Sequence, residues 1–156
     1  MIDHESVRKT ALFFLLTLMD EAVAQTASHK AVAQLKSGLA KNEIAPSDEQ
    51  LVQILNKIYL QTKGQVPRNR ALERPITWLQ VDDAGPSIDA WRKFQRDATE
   101  AEVVAVALGK ILGIKEDVVA AGIGVSLGTI HYRIGKGVRL LGKAAKSRES
   151  RADVRR

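Results

Sequence analysis

The sequence predicts an all-α fold, in which an N-terminal helical bundle is followed by a C-terminal helix-turn-helix domain. Apolar residues recur at intervals of three and four through most of the 156-residue chain. Capping-box pairs stand at Ser47 with Gln50 and at Thr99 with Glu102. No hairpin signal and no strand-like alternation interrupts this pattern. Aromatic residues make up 4% of a composition that is 45% hydrophobic, so we expect a core of aliphatic residues and alanine.

Three helices are predicted in the N-terminal part, residues 1–63. The first has an apolar stripe with helical spacing, formed by Val7, Ala11, Phe14, Leu15, Leu18 and Ala22. A second helix is expected from about Ser28 to Ala40. The third should start after its cap, Ser47, and run to about Lys63, where Gly64 ends it.

The first predicted helix also resembles an export signal, with a basic pair before an apolar run and an Ala-Val-Ala after it. Asp20 and Glu21 close the run before that site, and Ala11 to Met19 is too short to span a bilayer. We therefore expect a buried helix and no membrane partner. The absence of cysteine fits a reducing cytoplasm, which is the predicted location.

Residues 64–87 read as a linker, because Gly64, Pro67, Pro75, Gly85 and Pro86 break any sustained period. We expect Trp78 and Leu79 to fix this linker onto a domain surface. A C-terminal domain is predicted over 88–146, with a basic tail over 147–156.

The C-terminal domain should open with a short helix capped by Ser87, with Ile88, Trp91 and Phe94 on one side. A helix from about Glu100 to Leu112 follows, and then a short one that ends near Gly122.

The positive charge is concentrated at the C-terminal end. The chain carries +6, whereas residues 133–156 hold nine basic and two acidic residues, a balance of +7. The rest of the chain is therefore close to neutral. A localised basic patch is typical of proteins that bind polyanions, usually nucleic acid, although it also occurs as a solubilising tail.

Residues 117–134 have the spacing of a helix-turn-helix. Ala120 is a small residue where the two helices should cross, Gly124 can adopt the positive φ of a tight turn, and Ser126 can cap the second helix. We expect the two helices to be held together by Val119, Ile123, Val125, Ile130 and Ile134.

The remaining residues of the second helix are hydrogen-bonding and cationic, which suits base edges and phosphates. The predicted DNA-binding residues are Ser126, Thr129, His131, Tyr132, Arg133, Lys136 and Arg139.

The stretch EDVVAAGIGVSLGTIHYRIGKGVRLLG resembles the region-4 helix-turn-helix of sigma-70 family proteins, in particular extracytoplasmic-function-type sigma factors. The resemblance covers about residues 99–143, and Ser-x-Gly-Thr-Ile at 126–130 is its most specific part. It implies recognition of a promoter −35 element in duplex DNA, and either RNA polymerase core or an anti-sigma protein is considered as a further partner.

The chain departs from the family pattern in two respects. Gly122, Gly135 and Gly137 stand where larger residues are usual. Glycines within a helix imply either close packing against another element or a helix that becomes stable only on binding its partner. In the N-terminal part, which corresponds in position to sigma region 2, the expected aromatic and basic cluster is not evident. Its nearest counterparts are Arg68, Arg70, Arg74 and Trp78, in the predicted linker.

Nothing in the sequence indicates an enzyme, a cofactor or a metal site. The three histidines are far apart and lack ligand spacing, and no phosphate-binding glycine loop occurs. Two alternatives to a sigma-like transcription regulator stay open. One is a helical adaptor that binds polymerase or an anti-sigma protein without reading DNA sequence, and the other is a dimeric regulator of LuxR type.

Overall fold

The computed structural model describes residues 2–66 and 87–153, with side chains up to residue 147. These residues form helices and no strand, which confirms the all-α prediction. The α-helices are α1 His4–Leu18, α2 Glu21–Gly38, α3 Asp48–Thr62, α4 Ile88–Asp97, α5 Glu100–Val106, α6 Glu116–Ile123 and α7 Leu127–Asp153. A 3-10 turn, Lys63–Gln65, extends α3, and a π-helical segment, Ala107–Ile111, extends α5.

The junction of α1 and α2 differs from the prediction. The chain turns at Met19, which has a positive φ of 53°, and α2 begins at Glu21 rather than near Ser28. Asp20 caps α2 by accepting a hydrogen bond from the Val23 N–H at 3.0 Å. The expected assignment of Ala22 to the first helix is therefore wrong, because this aspartate starts a new helix within the apolar period.

The predicted starts of α3, α4 and α5 are confirmed. Ser47 and Gln50 form both hydrogen bonds of a capping box, as do Thr99 and Glu102. The Ser87 hydroxyl accepts a hydrogen bond from the Ala90 N–H. These caps satisfy backbone donors that the first turn of a helix leaves free, so a local pattern suffices to place them.

Several predictions fall on residues 67–86, outside the described part of the chain. They concern the packing of Trp78 and Leu79 and the role of Arg68, Arg70 and Arg74. The division into domains likewise stays a prediction. At the C-terminal end, α7 continues through residues 147–153 of the predicted basic tail.

The N-terminal and C-terminal helices share one hydrophobic core. Helices α1, α2 and α3 pack around Phe13, Phe14 and Leu55, and the same cluster of buried residues continues to Trp91 of α4 and Ile130 of α7. The Trp91 indole N–H donates to the Leu16 carbonyl of α1 at 2.8 Å. The bundle is thus fixed directly against the helices that carry the helix-turn-helix.

The N-terminal and C-terminal helices also pack closely at Gly122. Helix α3 packs on α6, and a methyl group on Gly122 would lie 2.5 Å from Val52 Cγ1 and 2.6 Å from Val52 Cβ. A hydrogen atom at this position is therefore what allows the two helices to pack at this separation.

Two further properties concern the described residues as a set. None of their helices is both long enough and apolar enough to cross a membrane. Among these same residues, no three acidic or histidine side chains are grouped so that they could hold a metal ion.

Candidate functional site

The turn between α6 and α7 has the predicted geometry. Gly124 has φ +83°, and the N–H groups of Gly124 and Val125 both donate to the Ala120 carbonyl, at 2.9 and 3.1 Å. The Ser126 hydroxyl accepts a hydrogen bond from the Thr129 N–H at 3.1 Å and lies 2.8 Å from the Thr129 hydroxyl. Gly124 therefore ends α6, and Ser126 starts α7 two residues later.

Buried aliphatic residues hold α7 on the helices before it. Val119, Ile130 and Ile134 are buried, as predicted, and so is Ala120. Ile123 and Val125 are only half-buried, and they line a cleft between α7 and α3. The expected apolar contact is thus confirmed at its centre, while its edge faces the N-terminal bundle.

Gly137 has a packing role. A methyl group there would lie 2.5 Å from Val106 Cγ2 and 3.5 Å from Phe94 Cζ. By contrast, a methyl group on Gly135 would meet nothing closer than Arg139 Nη2 at 4.0 Å. Close packing therefore explains Gly137, whereas nothing in the described structure explains Gly135.

Most of the predicted DNA-binding residues lie on the outer side of α7. Ser126, His131, Tyr132, Lys136 and Arg139 are exposed, and Tyr132 keeps 63% of its surface accessible. Thr129 is half-buried, and its hydroxyl lies against that of Ser126 in the cap. Since residues 128, 132, 135 and 139 follow a helical period, they form one continuous outward face.

His131 lies at the side of this outward face that adjoins α6. Its Nδ1 is 2.9 Å from Glu116 Oε2, and the second oxygen of Glu116 is 3.9 Å from Lys110 Nζ. The imidazole thus lies beside a carboxylate in this conformation. It remains 80% exposed, so a polar partner can still reach it.

Lys136 is engaged by a buried carboxylate. Its Nζ lies 2.9 Å from Glu102 Oε1, and the Glu102 side chain is only 5% exposed. Burial opposes ionisation of Glu102, but hydrogen bonds from Lys136 and the Thr99 N–H outweigh it and lower the pKa of this carboxyl. The same pairing raises the pKa of Lys136. Lys136 therefore fastens α7 to the start of α5.

Arg133 does not lie on the outward face. It is half-buried and lines the cleft between α7 and α3, together with Tyr59 and Lys63. Arg139 is exposed, with its Nε donating to the Gly135 carbonyl at 3.1 Å. The two arginines therefore face different surroundings, although both were predicted to contact DNA.

The roles of Glu102 and Tyr59 were missed by sequence reasoning. Glu102 was recognised only as a capping residue, and its second oxygen holds Lys136, 34 positions away. Tyr59 follows the apolar period of α3, and nothing in the pattern indicates that it borders a cleft. No local signal could have found either contact.

No protein-family model and no curated protein matches the chain. Among solved structures, the chain is similar to the sigma factor RpoE of Bartonella quintana, solved in complex with the anti-sigma factor NepR. The TM-score is 0.65 at 15% sequence identity, and the similarity covers 90% of this chain and 92% of the other. The chain therefore has a sigma-factor-like all-α fold over nearly its whole length.

Proposed function

We propose that this protein is a sigma-like transcription regulator that binds duplex DNA through the outward face of α7. The observation that carries the proposal is the capped turn, after which Tyr132 and Arg139 lie on the exposed side of a helix whose inner side, with Ile130 and Ile134, is buried in the core. A helix presented in this way has the dimensions to enter the major groove. The sigma-factor-like fold supports this function, and a role in transcription implies a cytoplasmic location.

The distribution of charge along α7 suggests that its two ends contact different parts of the DNA. The outward face of its first two turns presents hydroxyl and imidazole groups, because the cation of this stretch, Arg133, lines the cleft toward α3 instead. Apart from Lys136, which is paired with Glu102, the outward cations begin at Arg139 and continue through Lys143 and Lys146. Arg139 lies about 20 Å along the helix axis from Ser126. In our proposal the first two turns of α7 contact base edges, and the cations from Arg139 onward contact backbone phosphates.

Arg133 and Lys136 contribute less to this proposal than the sequence suggested. Lys136 is paired with Glu102, and Arg133 faces α3. To contact DNA, Lys136 would have to leave Glu102, and Arg133 would have to leave the cleft beside α3. Tyr132 and Arg139 are therefore the sharper targets for mutation.

The test is fluorescence anisotropy with a pool of promoter-like −35 duplexes over a salt series. We expect binding that weakens steeply with salt, because bound cations release counterions from DNA. Arg139→Ala should lower affinity for all sequences alike and reduce the salt slope by about one. Tyr132→Ala should reduce the preference among sequences. Lys57→Ala is the matched control, since Lys57 is an exposed cation of α3, outside the helix-turn-helix.

Two results would oppose the proposal. One is the absence of binding at low salt, and the other is an Arg139→Ala variant with the affinity and salt slope of Lys57→Ala. A LuxR-type arrangement requires a dimer, so a monomeric mass at the assay concentration would argue against that alternative.

A second candidate function is binding to an anti-sigma-like protein or to polymerase core. It is favoured by the one observation that the similar RpoE structure was solved with the anti-sigma factor NepR. Duplex binding without sequence preference would favour this adaptor function. Sequence-dependent duplex binding would favour the regulator, with polymerase recruitment as its next test.

A further inference from the structure

A cleft of about 380 Å³ separates the N-terminal bundle from the helix-turn-helix. Helix α3 and its 3-10 extension form one wall, α5 forms the floor, and the α6–α7 turn with Arg133 forms the other wall. Leu60, Val104 and Ile123 give the cleft an apolar lining. Its size lies within the range of small-ligand pockets, about 300–1,000 Å³.

Tyr59 offers an unused hydrogen-bond donor to this cleft. The residue is only 5% exposed, and its ring packs edge-on against Phe13 at 6.2 Å between centroids. Its hydroxyl makes no hydrogen bond with any residue of the described ranges. Burial, together with the nearby Glu100 carboxylate, raises the pKa of Tyr59 to about 12, so the phenol keeps its proton at neutral pH. The ring of Tyr59 is thus held in place by burial, while its hydroxyl, which has no partner among the described residues, can donate a hydrogen bond to a ligand in the cleft.

Arg133 supplies the charge. Within residues 2–66 and 87–147 its guanidinium forms no hydrogen bond and no ion pair, although the residue is half-buried. The Asn56 amide, also on the cleft wall, has no side-chain partner in the same ranges. The other cation, Lys63, is neutralised by Glu100, with Nζ and Oε2 2.6 Å apart. The charged groups that line the cleft therefore leave a net charge of +1.

We propose that this cleft binds a small amphipathic monoanion, specifically a carboxylate on a compact apolar body. Arg133 pairs with the carboxylate, since a guanidinium matches a carboxylate with two parallel hydrogen bonds. Tyr59 donates a further hydrogen bond, and the apolar body lies against Leu60, Val104 and Ile123. A single net positive charge favours a monoanion, because a dianion would leave one charge uncompensated. This site goes beyond the proposed DNA binding and does not depend on it.

The experiment uses the full chain without DNA and two matched probes, 4-phenylbutyrate and its neutral amide, 4-phenylbutanamide. Isothermal titration calorimetry gives the affinities, and amide chemical shifts locate the bound probe. We expect the acid to bind at least tenfold more tightly than the amide. Arg133→Gln should lower the affinity for the acid at least tenfold, and Tyr59→Phe about tenfold.

Lys57→Gln is the control. It removes one positive charge from α3, which forms a wall of the cleft, but Lys57 itself does not line the cleft. Its affinity for the acid should equal that of the wild type. Tyr59→Phe keeps the ring contact with Phe13, so it tests the site even if Arg133→Gln fails to fold.

Four results would overturn the proposal. Three of them are no binding of the acid at millimolar concentration, equal affinity for acid and amide, and equal effects of Arg133→Gln and Lys57→Gln. Chemical-shift changes confined to the apolar groove between α1 and α2, lined by Val7, Leu15 and Val32, would also overturn it, since the probe would then bind elsewhere. Because the assay contains no DNA, each of these outcomes can be measured whether or not the protein binds DNA.

Discussion

The close packing of α3 on α6 can be tested with a single methyl group, by Gly122→Ala. The added carbon would lie 2.5 Å from Val52 Cγ1, 2.6 Å from Val52 Cβ and 3.3 Å from the Glu49 carbonyl oxygen. Carbon atoms prefer separations of about 3.5–4.0 Å, so α3 and α6 would have to move apart by roughly 1 Å. Rotation of the Val52 side chain cannot relieve the contact with its Cβ.

The expected magnitude follows from two opposing effects. Overpacking a filled core costs about 1–3 kcal/mol. Replacing a helical glycine by alanine returns about 0.5–1 kcal/mol, and less near a helix end such as this one. We therefore expect Gly122→Ala to lower the free energy of unfolding by about 1–2 kcal/mol, with a fall in Tm of about 2–4 °C for each kcal/mol.

The assay is urea and thermal denaturation followed by circular dichroism. Gly142→Ala is the control, because a methyl group at this helical position meets nothing within 4 Å and should stabilise the protein. Combining Gly122→Ala with Val52→Ala should not restore stability, because the conflict at the Val52 Cβ remains. A Gly122→Ala variant as stable as Gly142→Ala would refute the reasoning and indicate that the two helices lie further apart.

Three further predictions follow from contacts in the C-terminal half. Gly137→Ala should lower the free energy of unfolding by about 1–2 kcal/mol, because the added methyl group would collide with Val106 Cγ2, while Gly135→Ala should raise it by about 0.5–1 kcal/mol. Val106→Ala should partly restore the stability of the Gly137→Ala variant, in a double-mutant cycle measured by urea denaturation. Glu102→Gln keeps the capping pattern but loses the charge. Because the pKa of Glu102 in the folded protein lies below its ordinary value of 4.5, the stability that its charge contributes should be complete above pH 4.5 and lost as the pH falls through the folded pKa. The free energies of unfolding of wild type and variant should therefore differ near neutral pH and become equal in acid, as followed by acid denaturation. Ser126→Ala removes the hydrogen bond to the Thr129 N–H and should lower the free energy of unfolding by about 1 kcal/mol, whereas Ser126→Asp, which can still cap α7, should retain most of the stability.

Sequence reasoning located the candidate surface but misjudged the environment of two of its cations. The exposed positions of Tyr132 and Arg139 follow from the helical period once Ile130 and Ile134 are assigned to the core. Arg133 and Lys136 stand at the borders of that apolar stripe. A border residue faces solvent or a neighbouring helix depending on which helix packs beside it, and the period of α7 alone does not contain that information.

Local sequence patterns are sufficient to place the starts of four helices and the α6–α7 turn. Ser47, Ser87, Thr99 and Ser126 each satisfy backbone donors within three residues, and Gly124 supplies a positive φ, so these features depend only on near neighbours. By contrast, the contact of Lys136 with Glu102, that of Gly122 with Val52, and the cleft shared by Arg133 and Tyr59 arise only from the packing of the helices. These contacts join residues 34 to 74 positions apart, and they exist because particular helix faces are brought together by the shared core.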